Sequence, residues 1–269
     1  MNISSDIFNT TQNPHQEYGN KVCSVNFLDS SNEERPAVWL TSFPRSGNTW
    51  TRHLLELATG IYTGSSYHAN GLYNAGFKGE FDSPQLGREL IYKCHRFTNS
   101  MKFGILLIRN PYDSLISFYQ YRTIRHLTLE SYRNNLDWIN WAKRKHEKWL
   151  NLVEDWFKSG KLFLVVHYED IVKNPLEEVE RMLNFLNITF TPERRNCVQN
   201  DIEGAFHKQH KEQFRFDPFT KELHRLINTD IQIVNRLLQS RNETPIPEPT
   251  YDNELRKINL QKSKRNLKN

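Results

Sequence analysis

The sequence lacks any apolar run long enough to cross a membrane. No stretch of ~20 apolar residues occurs, and the N-terminus has no signal-peptide core. We therefore expect a soluble chain with no membrane span. Aromatic residues make up 12% of the chain, which supplies a core and argues against global disorder.

Cysteine is also scarce, with only three residues, Cys23, Cys94 and Cys197. An odd, sparse set is not a disulfide framework, and no pair has the spacing of zinc ligands. The ten histidines are scattered. The closest pair, His207 and His210, has no Cys or acidic partner at ligand spacing. We therefore expect no disulfide framework and no metal site.

The net charge of the chain is small outside the C-terminal tail. The net charge is +5, but residues 252–269 hold six Lys/Arg and two acids and so contribute +6 − 2 = +4. The rest of the chain is close to neutral, which removes the charge argument for a nucleic-acid partner. We expect residues 249–269 to be a basic, disordered tail. A contact with a membrane surface or nucleic acid is the alternative.

The 269 residues fit one large α/β domain better than two small ones. We expect a loose polar arm at 1–35 and a domain at 36–248. Strand-like runs alternate with segments of helical spacing, which predicts a central parallel sheet flanked by helices on both faces. The predicted strands cover 37–43, 90–92, 104–108 and 162–167. The predicted helices begin after 47, at 110–111, within 129–158, at 174–175 and near 219, and Gly60 suits the C-terminal cap of the first helix. Residues 61–88 are expected to form a long loop.

Polar residues follow the predicted strands. Arg45 comes after the first strand, Lys93 and His95 after the second, Arg109 after the third and Tyr168 after the fourth. Ligands of parallel α/β sheets bind beyond the carboxyl ends of the strands. We therefore expect these side chains to line a binding site at that edge.

The turn after the first strand, TSFPRSGNTW at 41–50, leads into a helix. Unpaired amides and the positive end of the helix dipole favour an anion at a helix N-terminus. The turn therefore predicts a phosphate-like ligand, and an ordinary polar turn that caps the helix is the alternative. The residues concerned are Arg45, Ser46, Gly47, Asn48 and Thr49.

This turn is not the nucleotide-binding loop of P-loop kinases. That loop has a Lys directly after its last Gly, whereas Asn48 follows Gly47 here and the cation, Arg45, precedes it. With Thr49 and Trp50 following, the arrangement resembles the 5′-phosphosulfate loop of the sulfotransferases. Those enzymes use the sulfate donor PAPS (3′-phosphoadenosine 5′-phosphosulfate).

A second segment, residues 108–117, is similar to the 3′-phosphate segment of the same family. In that segment an Arg and a Ser eight residues later hold the 3′-phosphate, and Arg109 and Ser117 have that spacing. An ion pair between Arg109 and Asp113 is the alternative. The whole resemblance runs from about 36 to about 245.

Two more segments match. Residues 93–95 are similar to the family segment that carries the catalytic His, and the resemblance makes His95 the general base, with a structural His as the alternative. Tyr168 matches a Tyr that lies near the adenine. Trp50 is expected to stack on the adenine, and a place in the core is its alternative.

Within the family, the segments GNTWTRHLLELATGIYTGSSY and LYNAGFKGE resemble the sulfotransferase domain of WSC-domain proteins, which are thought to sulfate sialic acid. Neither a WSC domain nor a membrane anchor is present in the sequence. The C-terminal R-K-G phosphate loop of the cytosolic members is also missing. Lys208, in the segment 206–208, is the candidate that replaces it.

The resemblance implies sulfuryl transfer from PAPS to an acceptor hydroxyl, with PAP as product, no metal and a sialic acid-like glycan as the expected acceptor. Another sugar, a tyrosine and a small alcohol are the alternative acceptors. Arg45 and Lys93 would stabilise charge while His95 takes the proton. The chain is cytoplasmic as written, or Golgi-lumenal if it is a fragment of an anchored protein, and its oligomeric state stays open. The alternatives are a P-loop-type nucleotide kinase and a non-catalytic nucleotide-binding relative.

Overall fold

The computed structural model describes residues 22–28, 36–123, 129–205 and 216–249. These residues form two compact units. Of the described residues, the first unit contains 22–28, 36–42, 47–107 and 159–205, and the second contains 43–46, 108–123, 129–158 and 216–249. Lys208, the tail from 250 onward and most of the predicted N-terminal arm lie outside the described residues.

The first unit is built on a five-stranded sheet with the strand order β2-β3-β1-β4-β5. β1 pairs in parallel with both β3 and β4, and β2 pairs in parallel with β3. Buried apolar residues on β1 and β4 explain why these segments are strands, since both faces of a parallel sheet are covered. The strands are β1 (Val38–Ser42), β2 (Gly64–Ser65), β3 (Tyr92–Cys94), β4 (Phe103–Ile108) and β5 (Leu162–His167).

The helices of the first unit pack into an apolar core with the sheet, through residues such as Leu54, Met182 and Val198. The predicted cap at Gly60 is confirmed, because Gly60 ends α1 with a left-handed φ of 72° and its N–H donates to the carbonyl of Glu56. These helices are α1 (Asn48–Thr59), α2 (Asn70–Asn74), α5 (Tyr168–Lys173), α6 (Pro175–Phe185) and α7 (Pro192–Asn200).

The second unit is helical, and its core is rich in aromatic rings. Trp138, Trp141, Tyr119 and Phe219 contact one another at centroid distances of 5.1–5.8 Å. The predicted start at Asn110 is confirmed, since its side chain accepts a hydrogen bond from the Tyr112 N–H. The helices are α3 (Pro111–Arg122), α4 (Leu136–Lys158) and α8 (Lys221–Gln239), and a 3₁₀ turn covers Leu129–Tyr132.

Two predicted boundaries were wrong. The strand expected at 90–92 is β3 at Tyr92–Cys94, so Lys93 lies inside the strand and only His95 follows it. The segment 61–88 is not one long loop, because it contains β2, α2 and 3₁₀ turns at Lys78–Phe81 and Pro84–Leu86. Such short elements carry no sequence periodicity of their own.

A disulfide corrects the expectation drawn from cysteine count. Cys23 is bonded to Cys197 across 174 positions of sequence, with the two Cα atoms 5.6 Å apart, and Cys94 is the free cysteine. Asn26 also bonds the backbone of Gly60 and Tyr62. The described part of the predicted arm, residues 22–28, is therefore attached to the first unit by a covalent bond and by hydrogen bonds.

Candidate anion-binding and proton-transfer site

The turn into α1 leaves the helix N-terminus without a side-chain cap. Gly47 is the N-cap residue at φ 91° and ψ 6°, and it has no side chain with which to cap the first amides of the helix. The first turn also contains no acidic residue. Free amides and an uncompensated helix dipole are the features of an anion site, so this end of α1 can receive a phosphate or sulfate oxygen.

Gly47 has a second reason to be glycine. A Cβ at this position would overlap the ring of Tyr168, and a φ of 91° is one that L side chains rarely adopt. The Tyr168 ring in turn meets the ring of Trp50 edge-on, at a centroid distance of 6.1 Å. Three residues predicted to bind the nucleotide therefore contact one another in the first unit.

Trp50 itself lies in the core, where it is 3% exposed. Its indole N–H donates to the carbonyl of Ile202 at 2.7 Å. This burial favours the packing role that the sequence analysis held as the alternative. Adenine stacking by Trp50 stays a prediction.

Asn48 lies at the position where a kinase loop has its Lys. Its side chain forms hydrogen bonds with β1. Its Nδ2 donates to the carbonyl of Leu40 at 3.0 Å and to Oγ of Ser42 at 3.1 Å. Its Oδ1 is buried and has no hydrogen-bond partner among the described residues. Half of the amide is thus committed to the strand, and half is available to a ligand.

His95 follows β3 directly, and its ring contacts the end of β1. Nδ1 lies 2.8 Å from the backbone carbonyl of Ser42 and 3.5 Å from the Ser42 hydroxyl. A carbonyl oxygen can only accept, so Nδ1 must carry the proton. In the neutral ring that leaves Nε2 with its lone pair, which is the atom a general base needs.

The environment of His95 keeps the imidazole neutral. Burial lowers the pKa of His95 to about 4, and the nearby charge of Lys93 acts in the same direction, while the bond to Ser42 opposes them. In a structural His that pairs with a carboxylate, the negative charge would instead raise the pKa of the imidazole. At neutral pH, His95 can therefore accept a proton and is not already protonated.

The second unit brings Arg45, predicted to hold the 5′-phosphosulfate, together with Arg109 and Ser117, predicted to hold the 3′-phosphate. Nε of Arg45 donates to Oγ of Ser117 at 3.4 Å, and Nη1 of Arg109 donates to the backbone carbonyl of Arg45 at 2.7 Å. The indole of Trp149 donates to the carbonyl of Arg109 at 3.0 Å, which fixes that backbone. Two guanidinium groups and a hydroxyl on adjacent chain segments suit the oxygens of a phosphate.

Two features of the turn favour an anionic ligand over an ordinary polar turn that caps the helix. Arg45 holds a left-handed φ of 69°, which is unusual for a residue with a side chain. Ser46 is fully buried, and its hydroxyl has no hydrogen-bond partner among the described residues. Buried hydroxyls are normally paired, so a ligand oxygen is the natural partner of this one.

Sequence reasoning missed a buried charge network that organises the segment 61–88. Arg52 and Glu80 are both fully buried and form an ion pair at 2.8 Å. Arg52 also donates to the Thr63 hydroxyl at 2.7 Å, and the Thr63 N–H donates to Glu56 at 2.9 Å. Burial raises the pKa of Glu56 to about 7. No local pattern in the sequence indicates this network, because Arg52 and Glu80 are 28 positions apart.

The described residues contain no group of three His, Cys, Asp or Glu side chains that could hold a metal ion. Within the same ranges, no helix combines the length and the apolar character needed to cross a membrane. The expectation that the reaction needs no metal stays a prediction.

Comparison with known proteins finds that the chain is similar to the sulfotransferases. Residues 95–215 match the model of the sulfotransferase domain. The chain is 32% identical over 209 residues to a WSCD family member of Aedes aegypti and 30% identical over 210 residues to one of Drosophila melanogaster. Each match covers 74% of this chain and 65% of the relative. The chain thus spans less than two thirds of the length of these curated relatives.

A solved structure shares the fold. The mouse sulfotransferase SULT7A1, crystallised with PAP, superposes with a TM-score of 0.51, at 17% identity, over 80% of this chain and 91% of that one. The predicted fold class, a P-loop-like arrangement of a parallel sheet flanked by helices, is confirmed. The predicted resemblance to the sulfotransferases and to their WSC-domain branch is confirmed as well.

Proposed function

Since the chain is a relative of the sulfotransferases, we propose that it moves a sulfuryl group from PAPS to an acceptor hydroxyl. The observation that carries the proposal is the contact of Arg45 with Ser117 and of Arg109 with Arg45. These residues come from two sequence segments that were assigned independently to the donor. Their proximity supports a shared role in binding one donor molecule.

PAPS supplies a sulfate activated by its bond to the 5′-phosphate. The turn residues would hold the 5′-phosphosulfate through backbone amides, the Arg45 side chain and the buried Ser46 hydroxyl. Arg109 and Ser117 would hold the 3′-phosphate, and Tyr168 would lie near the adenine. The full proposed donor set is Arg45, Ser46, Gly47, Asn48, Thr49, Trp50, Arg109, Ser117 and Tyr168, with Lys208 as a further candidate outside the described residues.

His95 would act as the general base. As the acceptor oxygen bonds to sulfur, its proton moves to Nε2 of His95, and the bond between sulfur and the 5′-phosphate oxygen breaks with its electron pair on the phosphate. The Nδ1–H bond to Ser42 supports this role, because it fixes the tautomer that leaves Nε2 free to accept. Lys93 and Arg45 would stabilise the negative charge on the sulfuryl and phosphate oxygens, each by a few kcal/mol.

We propose a glycan acceptor, and a sialic acid-like sugar within that class. Aromatic rings in 61–88 support it, since Tyr67, Tyr73 and Phe81 are 45%, 39% and 43% exposed. Ring faces of this kind can pack on the C–H face of a pyranose, and they also provide apolar surface that is costly to leave in water. Lys78, 4.5 Å from the ring centroid of Tyr73, adds positive charge for an acidic sugar.

We also propose that the chain works in an oxidising compartment, as the Golgi-lumenal reading requires. The bond between Cys23 and Cys197 supports this over the cytoplasmic alternative, since disulfides are rare where thiols are kept reduced. Thiol alkylation of protein isolated from cells, with and without reductant, tests it. Three alkylated cysteines without reductant would favour the cytoplasm.

The activity is tested by incubating the protein with PAPS and a panel of hydroxyl acceptors and measuring PAP release. Sialyllactose and lactose form a matched pair that differs only in the acidic sugar. We expect PAP release that depends on the acceptor, and faster release with sialyllactose. A thermal-shift comparison of PAP with ATP and magnesium separates the kinase alternative. Binding of PAP without turnover of any acceptor would favour the non-catalytic relative.

A further inference from the structure

Tyr67 lies against the proposed base because of the register of the sheet. β2 pairs with β3 so that Ser65 is opposite Lys93, and the Ser66 N–H donates to the Lys93 carbonyl at 3.0 Å. The parallel register then carries position 67 alongside position 95. The Tyr67 N–H donates to the Ser65 hydroxyl at 3.1 Å, which fixes the backbone where the side chain leaves it.

The Tyr67 side chain makes two separate contacts with His95. Its hydroxyl accepts a hydrogen bond from the backbone N–H of His95 at 2.8 Å. Its ring lies beside the imidazole with the centroids 5.0 Å apart and the planes 33° from parallel. One contact fixes the backbone of His95, and the other covers its ring.

Tyr67 also lies near the positively charged side chain of Lys93. Nζ of Lys93 is 5.8 Å from the Tyr67 ring centroid, and the hydroxyl is 4.0 Å from Sγ of Cys94. Burial raises the pKa of Tyr67 to about 12, so the hydroxyl stays protonated at neutral pH. Although it touches the base and approaches Lys93, Tyr67 is still 45% exposed.

We propose that Tyr67 is a positioning residue that holds His95 in its reactive orientation and shields its ring from water. The proposal rests on the proposed function, and it gives a role to a residue to which the sequence analysis assigned none. The hydroxyl sets the backbone at 95, the Ser42 carbonyl sets the Nδ1–H tautomer, and the Tyr67 ring excludes water from one face. These three contacts leave Nε2 as the atom that meets the acceptor.

Tyr67→Phe separates the hydroxyl from the ring. It keeps the ring contact and removes the acceptor of the His95 N–H, so we expect kcat to fall about fivefold, the equivalent of one neutral hydrogen bond, with KM for PAPS unchanged. Amide exchange at His95 should accelerate by a similar factor. Tyr62→Phe makes the same substitution in the same segment, at a ring that packs on Phe27 with the centroids 4.8 Å apart, and it should change neither quantity.

Tyr67→Ala removes both contacts. We expect kcat to fall about a hundredfold and the pKa of His95, measured by NMR, to rise from about 4 towards 6.5. Lys93 is the charged group that acts on this ring, and the neutral Ser42 carbonyl on β1 bonds it. Cys94 and Arg96 act on the Tyr67 hydroxyl. None of the other charges changes in this variant, so the pKa rise reports the lost shielding.

The NMR readouts do not depend on turnover, so the two hypotheses can fail separately. Absence of PAPS turnover in the wild type, with the expected changes at His95, would reject the proposed function and keep the positioning of His95 by Tyr67. Unchanged amide exchange in Tyr67→Phe, together with an unchanged His95 titration in Tyr67→Ala, would overturn the positioning role even if the enzyme is active.

Discussion

The two clusters of predicted site residues differ in the electrostatic state that the fold gives them. In the first unit, His95 is held neutral by burial and by Lys93, and its pKa falls to about 4. In the second unit, the Arg45 and Arg109 segments meet at a backbone carbonyl and a serine hydroxyl. One cluster presents a lone pair, and the other presents permanent positive charge.

This difference assigns different tasks to the two clusters. A neutral imidazole adds little to the binding of a polyanion, but it can take a proton during the reaction. Guanidinium groups cannot take a proton at neutral pH, but they bind phosphate oxygens with paired hydrogen bonds. We therefore expect mutations in the first cluster to change kcat and mutations in the second to change donor affinity.

The largest effect is expected for His95→Ala. Loss of a general base lowers kcat by about 10²–10⁴, while the Kd for PAP should stay within about threefold because the neutral ring contributes little binding. Single-turnover kinetics with PAPS and calorimetric titration of PAP measure the two quantities. An affinity loss as large as the rate loss would remove the distinction between the clusters.

Arg109→Ala should show the reverse pattern. A charged hydrogen bond to phosphate is worth about 1.5–3 kcal/mol, so the Kd for PAP should rise about 10–100-fold, with kcat at saturating PAPS nearly unchanged. Arg122→Ala is the matched control, since Arg122 is on the same unit, is exposed and pairs with Asp137 at 3.6 Å. Equal losses in both variants would mean that net charge, rather than the Arg109 position, governs affinity.

Gly47→Ala tests the turn itself. The added Cβ meets the Tyr168 ring and a left-handed φ, so we expect a loss of about 1–3 kcal/mol in the free energy of unfolding, measured by urea denaturation. Gly71→Ala is the control, because nothing lies within 4 Å of its Cβ position. Restoration of stability in Gly47→Ala by a second change, Tyr168→Ala, would locate the strain at that ring.

The smallest effect on activity is expected when the pH is lowered. The pKa of His95 in the free protein is lowered to about 4 from 6.5, so its base form persists as the pH falls through 6.5 and is lost only near 4. The acid limb of kcat/KM, plotted against pH, should therefore be flat down to about pH 5. A midpoint near 6.5 in that profile would show an exposed imidazole and would contradict the shielding of His95.

Local signals predicted much of the fold. Asn110 and Pro111 marked the start of α3, and Gly60 marked the end of α1, because caps depend on a few neighbouring residues. The short elements of 61–88 gave no such signal. They are held by the buried pair of Arg52 and Glu80, a contact across 28 positions that no local pattern encodes.

The candidate site was predicted unevenly for a similar reason. Arg109, Ser117 and His95 were found by motif spacing, which survives in the sequence. Tyr67 was not found in this way, because its role depends on the register between β2 and β3. The partner of Cys23 was missed as well, since disulfide connectivity follows from tertiary contacts.

The measurement that most directly tests the division of tasks is kcat/KM for PAPS in the double variant His95→Ala/Arg109→Ala. If His95 acts in proton transfer and Arg109 in donor binding, the two free-energy losses should add. The double variant should then show the product of the two single-variant factors. A double variant no slower than His95→Ala alone would contradict the account.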